Sequence, residues 1–130
     1  EASIAIANTY YIGIMLSGKG GEEQLKAAQK VKIAFPNQTN RGAHINISGG
    51  GVLKHSPNRE NAEKFLEFLL SEEAQVHIVN NTFEYPVLET VKPHPLIESF
   101  GNFKMDKTSV ADFGKYNPEA VKLMDRVNWQ

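Results

Sequence analysis

The sequence predicts an α/β fold, in which short buried strands alternate with amphipathic helices. Three observations support this prediction. Residues 3–9 form an apolar run rich in Ile and Ala, which is typical of a buried strand. Residues 44–48 alternate in polarity and place Ile45 and Ile47 on one face of a second strand. Apolar residues recur at helical spacing over 62–70.

The elements of the first third follow in order from this strand. The apolar stretch 10–17 predicts a short helix that begins at two adjacent tyrosines. Residues 22–31 predict another helix, because acidic residues come first and lysines come last, as the helix dipole favours. Residues 32–35 predict a short strand, and the polar stretch 36–43 predicts a loop.

The middle of the chain contains a glycine run and two helices. Gly49–Gly51 directly follow the strand at 44–48 and form the candidate hinge. Asn58 is a suitable N-cap for the helix that contains the 62–70 pattern. Ser71 and the two glutamates after it predict the start of a further helix, which extends to about Val79.

The last third is predicted to be looped and then helical. Three prolines in 83–95 predict an extended or looped segment, followed by a short helix at 95–100. A cap, a proline and an acid at 117–119 predict the start of the terminal helix. The apolar residues of that helix are Val121, Leu123, Met124 and Val127.

Composition excludes several classes of function. The chain has 130 residues, of which 41% are hydrophobic and 22% are charged, as in a globular domain. The formal net charge of -1 and the absence of a recognition motif argue against a nucleic-acid partner. The absence of cysteine excludes zinc–thiolate, iron–sulfur and cysteine-nucleophile chemistry. No apolar run approaches the length of a membrane span.

The adjacent pair Tyr10–Tyr11 is the candidate metal site. A phenolate oxygen is a hard, anionic ligand, and a highly charged cation such as Fe(III) beside it would force deprotonation near neutral pH. Adjacent residues cannot share one face of a continuous strand or helix, but both hydroxyls can converge at a strand-to-helix junction. The free N–H groups of the helix start can also receive an anion. The competing interpretation is that both tyrosines are ordinary structural residues.

No other constellation of residues supports catalysis or metal binding. The histidines are scattered without zinc spacing, and we predict a structural role for each. His44 is a partial exception, because it starts the strand that leads into the candidate hinge. The chain contains no nucleophile elbow and no phosphate-binding loop. We therefore expect a protein that is not an enzyme. The four histidines are His44, His55, His77 and His94.

Several phrases together resemble one family, the ferric-ion-binding proteins of bacterial iron ABC transporters, particularly the cyanobacterial branch. The combination of ANTYY with RGAHINISGGGV is specific, and the resemblance runs in order over nearly the whole chain. The phrases are AIANTYYIG at 5–13, FPNQTNRGAHINISGGGVLKHSPN at 35–58, ENAEKFLEFLLSEEAQ at 60–75, EYPV at 84–87 and NPEAVKLMDRVNW at 117–129.

The resemblance implies a two-lobed, type II periplasmic-binding-protein fold that binds Fe(III) in its cleft. Tyr10 and Tyr11 match the tyrosine pair that binds Fe(III) in the family. Asn8 matches a position that contacts a synergistic anion in some members, and Arg41 is assigned with it to the anion or second-shell contacts. The family also implies a periplasmic location, peripheral to the membrane, and delivery of the ion to an ABC transporter permease.

The resemblance further implies how the chain divides between lobes. Residues 1–44 and 96–130 match part of the C-terminal lobe, which carries the tyrosine pair. Residues 45–95 match the hinge strand and part of the N-terminal lobe. Family members are more than twice as long, and the chain begins at Glu1 without a methionine. We therefore expect a C-terminal fragment, completed by the missing N-terminal portion of the same protein or by a second chain that supplies the remaining iron ligands.

Two alternatives remain open at the level of sequence. A protein of the same fold can bind another small ligand, such as a polyamine, thiamine or an oxyanion, none of which requires a tyrosine pair. The second alternative, which belongs to a different class, is an enzyme or the effector domain of a regulator. One departure bears on the site, because many close relatives carry a basic residue at the place of Ile14.

Overall fold

The computed structural model describes residues 3–129 and is built from helices. None of the described helices is long and apolar enough to cross a membrane. The helices of residues 3–129 are α1 Thr9–Leu16, α2 Glu22–Ala28, α3 Arg59–Leu69, α4 Glu72–Thr82, α5 Pro95–Glu98 and α6 Val110–Arg126.

The predicted helices that precede the terminal one are confirmed. The helix predicted at the tyrosines is α1, and those predicted at 22–31 and 95–100 form shorter helices, α2 and α5. Ser71 caps α4 as predicted, since its hydroxyl accepts a hydrogen bond from the Ala74 N–H at 3.2 Å. Asn58 does precede α3, but its side chain makes no capping hydrogen bond.

The predicted start of the terminal helix at 117–119 is wrong. Helix α6 begins at Val110, where Ser109 accepts a hydrogen bond from the Ala111 N–H at 3.3 Å, and Pro118 lies inside the helix. A proline within a helix loses one hydrogen bond and crowds the carbonyl four residues earlier. That earlier residue is Gly114. Helix α6 nevertheless continues past Pro118 to Arg126.

The strands predicted at 3–9, 32–35 and 44–48 are not formed. Within residues 3–129 the only strand-like backbone pairing is an isolated parallel bridge between Ala43 and Met105. A strand needs a neighbour that takes up its N–H and C=O groups. Ile4 and Ile6 are each 85% exposed, so the first predicted strand is apolar in sequence but unburied in this structure.

The chain divides into two compact units. One contains residues up to Ala34 together with Asn46–Asn102, and therefore holds α1 to α5. The other contains Phe35–Ile45 and residues from Phe103 onward, and therefore holds α6. These units are defined by contacts within this chain, whereas the predicted division at 44–45 and 95–96 concerns lobes of a longer protein and stays a prediction.

The core of the first unit positions α1. Phe83 and Ile97 are almost fully buried, with 2% and 0% exposure. Both pack against α1 at Gly13, which is itself buried. Phe83 ends α4 in the left-handed region, with φ of 61°. The residues that follow Phe83 are thereby turned away from the α4 axis.

In the second unit, loop 35–45 and the segment at 103–106 are joined by backbone and ring contacts. The Ala43 N–H donates to the Lys104 carbonyl, and the Asp106 N–H donates to the Ala43 carbonyl, both at 2.8 Å. The rings of Phe35 and Phe103 stack with centroids 4.2 Å apart. These contacts fix the loop that carries Arg41 and His44.

Candidate metal centre

The tyrosine pair lies where extended backbone becomes helix. Asn8 is extended, with φ of -75° and ψ of 143°, and Thr9 is the first residue of α1. Tyr10 and Tyr11 therefore occupy the first helical turn. The Asn8 side chain makes no capping hydrogen bond, and the first turn contains no acidic residue. This is the junction at which the sequence predicts that both hydroxyls converge.

The two tyrosine side chains lie side by side. Their ring centroids are 4.4 Å apart with an interplanar angle of 45°. Tyr10 is half-buried, whereas Tyr11 is 52% exposed. Hydrogen bonding with Tyr11 is the main cause that raises the pKa of Tyr10, and partial burial raises this pKa further. The phenols thus interact with each other and remain open to an incoming ion.

Two asparagines support the pair. The Asn8 amide donates to the Tyr10 hydroxyl at 3.4 Å, which opposes the rise in the pKa of Tyr10. The Asn46 side-chain amide in turn donates to the side-chain Oδ1 of Asn8 at 3.5 Å. The structure therefore brings three predicted site residues together, namely Asn8, Tyr10 and Tyr11. Asn46, which the sequence interpretation did not single out as a site residue, joins them.

Glu84 is a further residue near the pair that sequence reasoning missed. Its negative charge acts on Tyr10 and adds to the rise in the pKa of that phenol. The Ser48 hydroxyl donates to one oxygen of its carboxylate, and the Thr82 hydroxyl, which also contacts the Ile78 carbonyl at 2.9 Å, lies 3.1 Å from the other. Glu84 opens the phrase EYPV, but that phrase gave no chemical reason to place it beside the tyrosines.

Arg41 belongs to the other unit and has a partner there. Its Nε lies 3.5 Å from Oδ2 of Asp106, and its side chain is 70% exposed. Hydrogen bonds from Thr108 are the main cause that lowers the pKa of Asp106, with smaller contributions from Arg41 and His44. The assignment of Arg41 to the anion or second-shell contacts stays a prediction.

The described histidines do not assemble a metal site. Among residues 3–129 no group of three or more His, Cys, Asp or Glu side chains is placed to hold a metal ion. The ring of His44 lies 4.9 Å from that of Phe113. His94 has the predicted structural role, since its Nδ1 accepts a hydrogen bond from the Leu96 N–H at 3.1 Å and caps α5.

The donor set at the start of α1 suits a hard cation. The phenol groups of Tyr10 and Tyr11 and the amide of Asn8 present oxygen atoms, and phenolates neutralise positive charge once they lose their protons. Soft ions prefer thiolate and thioether ligands, and none is found in this cluster. The arrangement can therefore contribute two anionic oxygen ligands from consecutive residues.

Comparison with known proteins identifies relatives over nearly the whole chain. The pattern of the bacterial extracellular solute-binding protein family matches residues 3–105. The chain is 45% identical to iron uptake protein A1 of Synechocystis sp. over 130 residues, which is 100% of this chain and 36% of that protein. The chain thus spans little more than a third of the length of this relative.

Solved structures agree with the sequence match. A Trichodesmium FutA structure in complex with iron and citrate shares 49% identity and a TM-score of 0.86, over 95% of this chain and 39% of that one. The ferric binding protein from Campylobacter jejuni shares 39% identity and a TM-score of 0.89, over 97% and 40%. The predicted resemblance and fold class are therefore confirmed, although the predicted strands are unformed in residues 3–129.

Proposed function

The chain belongs to the bacterial extracellular solute-binding protein family, and we propose that it is part of a protein that captures Fe(III) through Tyr10 and Tyr11. The observation that carries this proposal is the meeting of the two phenols at the start of α1. The names of the relatives, iron uptake protein and ferric binding protein, support the choice of ion. The proposed function is capture for transport, without catalysis.

Capture couples ion binding to proton release. Without a cation the Tyr10 phenol is protonated near neutral pH, because its pKa is raised above the usual value of about 10. A trivalent ion beside the pair favours the phenolate strongly enough to displace the proton. The two adjacent phenolates are then hard, anionic ligands, which attract a trivalent ion more strongly than a divalent ion of similar size.

An oxyanion is proposed to complete the coordination. The start of α1 offers backbone N–H groups, and the partial positive charge of a helix N-terminus favours a bound anion. The Asn8 amide lies beside the phenols and is proposed to contact this anion. Citrate accompanies iron in the Trichodesmium structure, which makes a carboxylate anion a suitable candidate for this chain as well.

The remaining ligands are proposed to come from residues outside this sequence. The chain spans 36% to 40% of the length of the three relatives named above. The rest of the polypeptide, or a second chain, would face the tyrosines across a cleft and close on the ion. Release to an ABC transporter permease from the periplasm completes the proposed cycle.

Calorimetry on the natural polypeptide that carries this sequence tests the choice of ligand. We expect binding heat with ferric citrate, and none with spermidine, thiamine or sulfate at the same concentration. Citrate without iron separates binding of the ion from binding of the anion. Clear heat with one of the other ligands, together with no heat from ferric citrate, would replace Fe(III) by that ligand class.

A further inference from the structure

Glu84 is fixed in space by the same core that positions the tyrosine helix. It directly follows Phe83, whose positive φ of 61° turns the chain at the end of α4. Phe83 is buried against α1, where a Cβ built on Gly13 would lie 2.7 Å from the Phe83 Cβ. The backbone at residue 84 is thus separated from α1 by one tightly packed side chain.

The carboxylate of Glu84 is held by two hydroxyls. Ser48 donates to Oε1, and the Thr82 hydroxyl lies 3.1 Å from Oε2 and shares its one proton with the Ile78 carbonyl at 2.9 Å. Ser48 lies two residues after Asn46, whose amide donates to Asn8 beside the tyrosines. The segment 46–48 therefore contacts both the carboxylate and Asn8, which in turn donates to the Tyr10 hydroxyl. An ionised carboxylate has acceptor capacity for about four hydrogen bonds, so these two donors do not saturate it.

Within residues 3–129, no cationic side chain forms an ion pair with Glu84. The nearby ammonium group of Lys19 is engaged elsewhere, with the Asn81 carbonyl at 3.3 Å and over the ring of Phe83. Glu84 is half-buried, so its charge is less screened by water than that of an exposed residue.

We propose that Glu84 is an anionic residue beside the tyrosine site, and that its charge strengthens binding of a trivalent cation. Ser48 and Thr82 orient its carboxylate. This inference rests on the proposed function. When Fe(III) binds, the charge of Glu84 attracts it, so the site gains affinity for highly charged ions.

The decisive comparison changes charge but preserves shape. Glu84→Gln removes the charge and retains one acceptor oxygen for Ser48, while Thr82 can still donate to the Ile78 carbonyl. We expect Fe(III) affinity to fall on the order of tenfold, as for other residues that support metal ligands. The tyrosinate absorption band should remain, because both phenols are kept. Glu89→Gln, at an exposed glutamate in the same loop, is the control and should bind like the wild type.

A second pair of variants tests the effect of the charge independently if Glu84→Gln folds poorly. Glu84→Asp and Glu84→Asn have similar side chains and differ in charge, so Glu84→Asp should bind Fe(III) more tightly than Glu84→Asn. Affinity is measured by competition with nitrilotriacetate in the natural polypeptide. Equal affinities within either pair would overturn the role of Glu84. Absence of an iron band in the wild type would instead refute the proposed function.

Discussion

Gly13 and Phe83 are in such close contact that no side chain fits between them. A Cβ built on Gly13 would lie 2.7 Å from the Phe83 Cβ and 2.9 Å from Cδ1 of Ile97. These distances are shorter than an ordinary contact between carbon atoms. Gly13 therefore lets α1 approach the buried core, and this contact sets the position of the tyrosines that lie two and three residues before it.

Gly13→Ala is expected to destabilise the protein. Alanine normally improves a helix by up to about 1 kcal/mol, but overpacking of a core costs about 1–3 kcal/mol, so the net change should be unfavourable. Gly114→Ala in α6 is the matched control, because no heavy atom lies within 4 Å of the place its methyl group would take, and it should be neutral or stabilising. Urea unfolding midpoints measure both. A Gly13→Ala variant as stable as the wild type would show that Phe83 and Ile97 can shift to accommodate the methyl group.

Ser71→Ala should lower stability by about 1 kcal/mol, the usual cost of removing a helix cap. Its hydroxyl accepts the Ala74 N–H, which would otherwise lack a partner within α4. Asn58→Ala is the control, because Asn58 holds the same position before α3 without a capping hydrogen bond. Thermal unfolding of both variants distinguishes the two. Equal losses would mean that the cap hydrogen bond of Ser71 contributes nothing specific.

Asp106 is expected to make the second unit sensitive to acid. Its folded pKa is lowered, mainly by hydrogen bonds from Thr108, so the unfolded chain binds the proton more tightly. The stabilisation is present above the ordinary pKa of about 4 and is lost as the pH falls through the folded value. Asp106→Asn should therefore flatten the decline of the unfolding midpoint below that pH.

The control for this acid dependence is Asp125→Asn, at an exposed position near the end of α6. It should keep the wild-type decline. The idea that Asp106 causes the acid sensitivity fails if the Asp106→Asn and wild-type curves run parallel from pH 6 to pH 3.

Helix starts were predictable where a local hydrogen-bonding pattern decides them. Ser71 with two following acids identified α4, and the change in pattern at Tyr10 identified α1. The start of α6 was misplaced because the proline at position 118 is a strong local feature, whereas the Ser109 cap is an ordinary one. Local chemistry thus located helices but could not rank two competing starts.

The strand predictions were wrong for a different reason. Ile45 and Ile47 alternate as strand residues do, but a strand also requires a partner, and its identity cannot be deduced from the segment itself. Glu84 was missed for the same physical reason. Its closeness to Tyr10 depends on the turn at Phe83 and on packing against Gly13, which join parts of the chain 70 residues apart in sequence.

The absorption spectrum of the protein with ferric citrate tests the central claim most directly. We predict a visible tyrosinate-to-iron charge-transfer band for the natural polypeptide. The band should disappear in the Tyr10→Phe/Tyr11→Phe double variant and persist in Tyr116→Phe, which removes an exposed tyrosine of α6. The absence of a band in the wild type, or a band that is unchanged in the double variant, would contradict iron binding by Tyr10 and Tyr11.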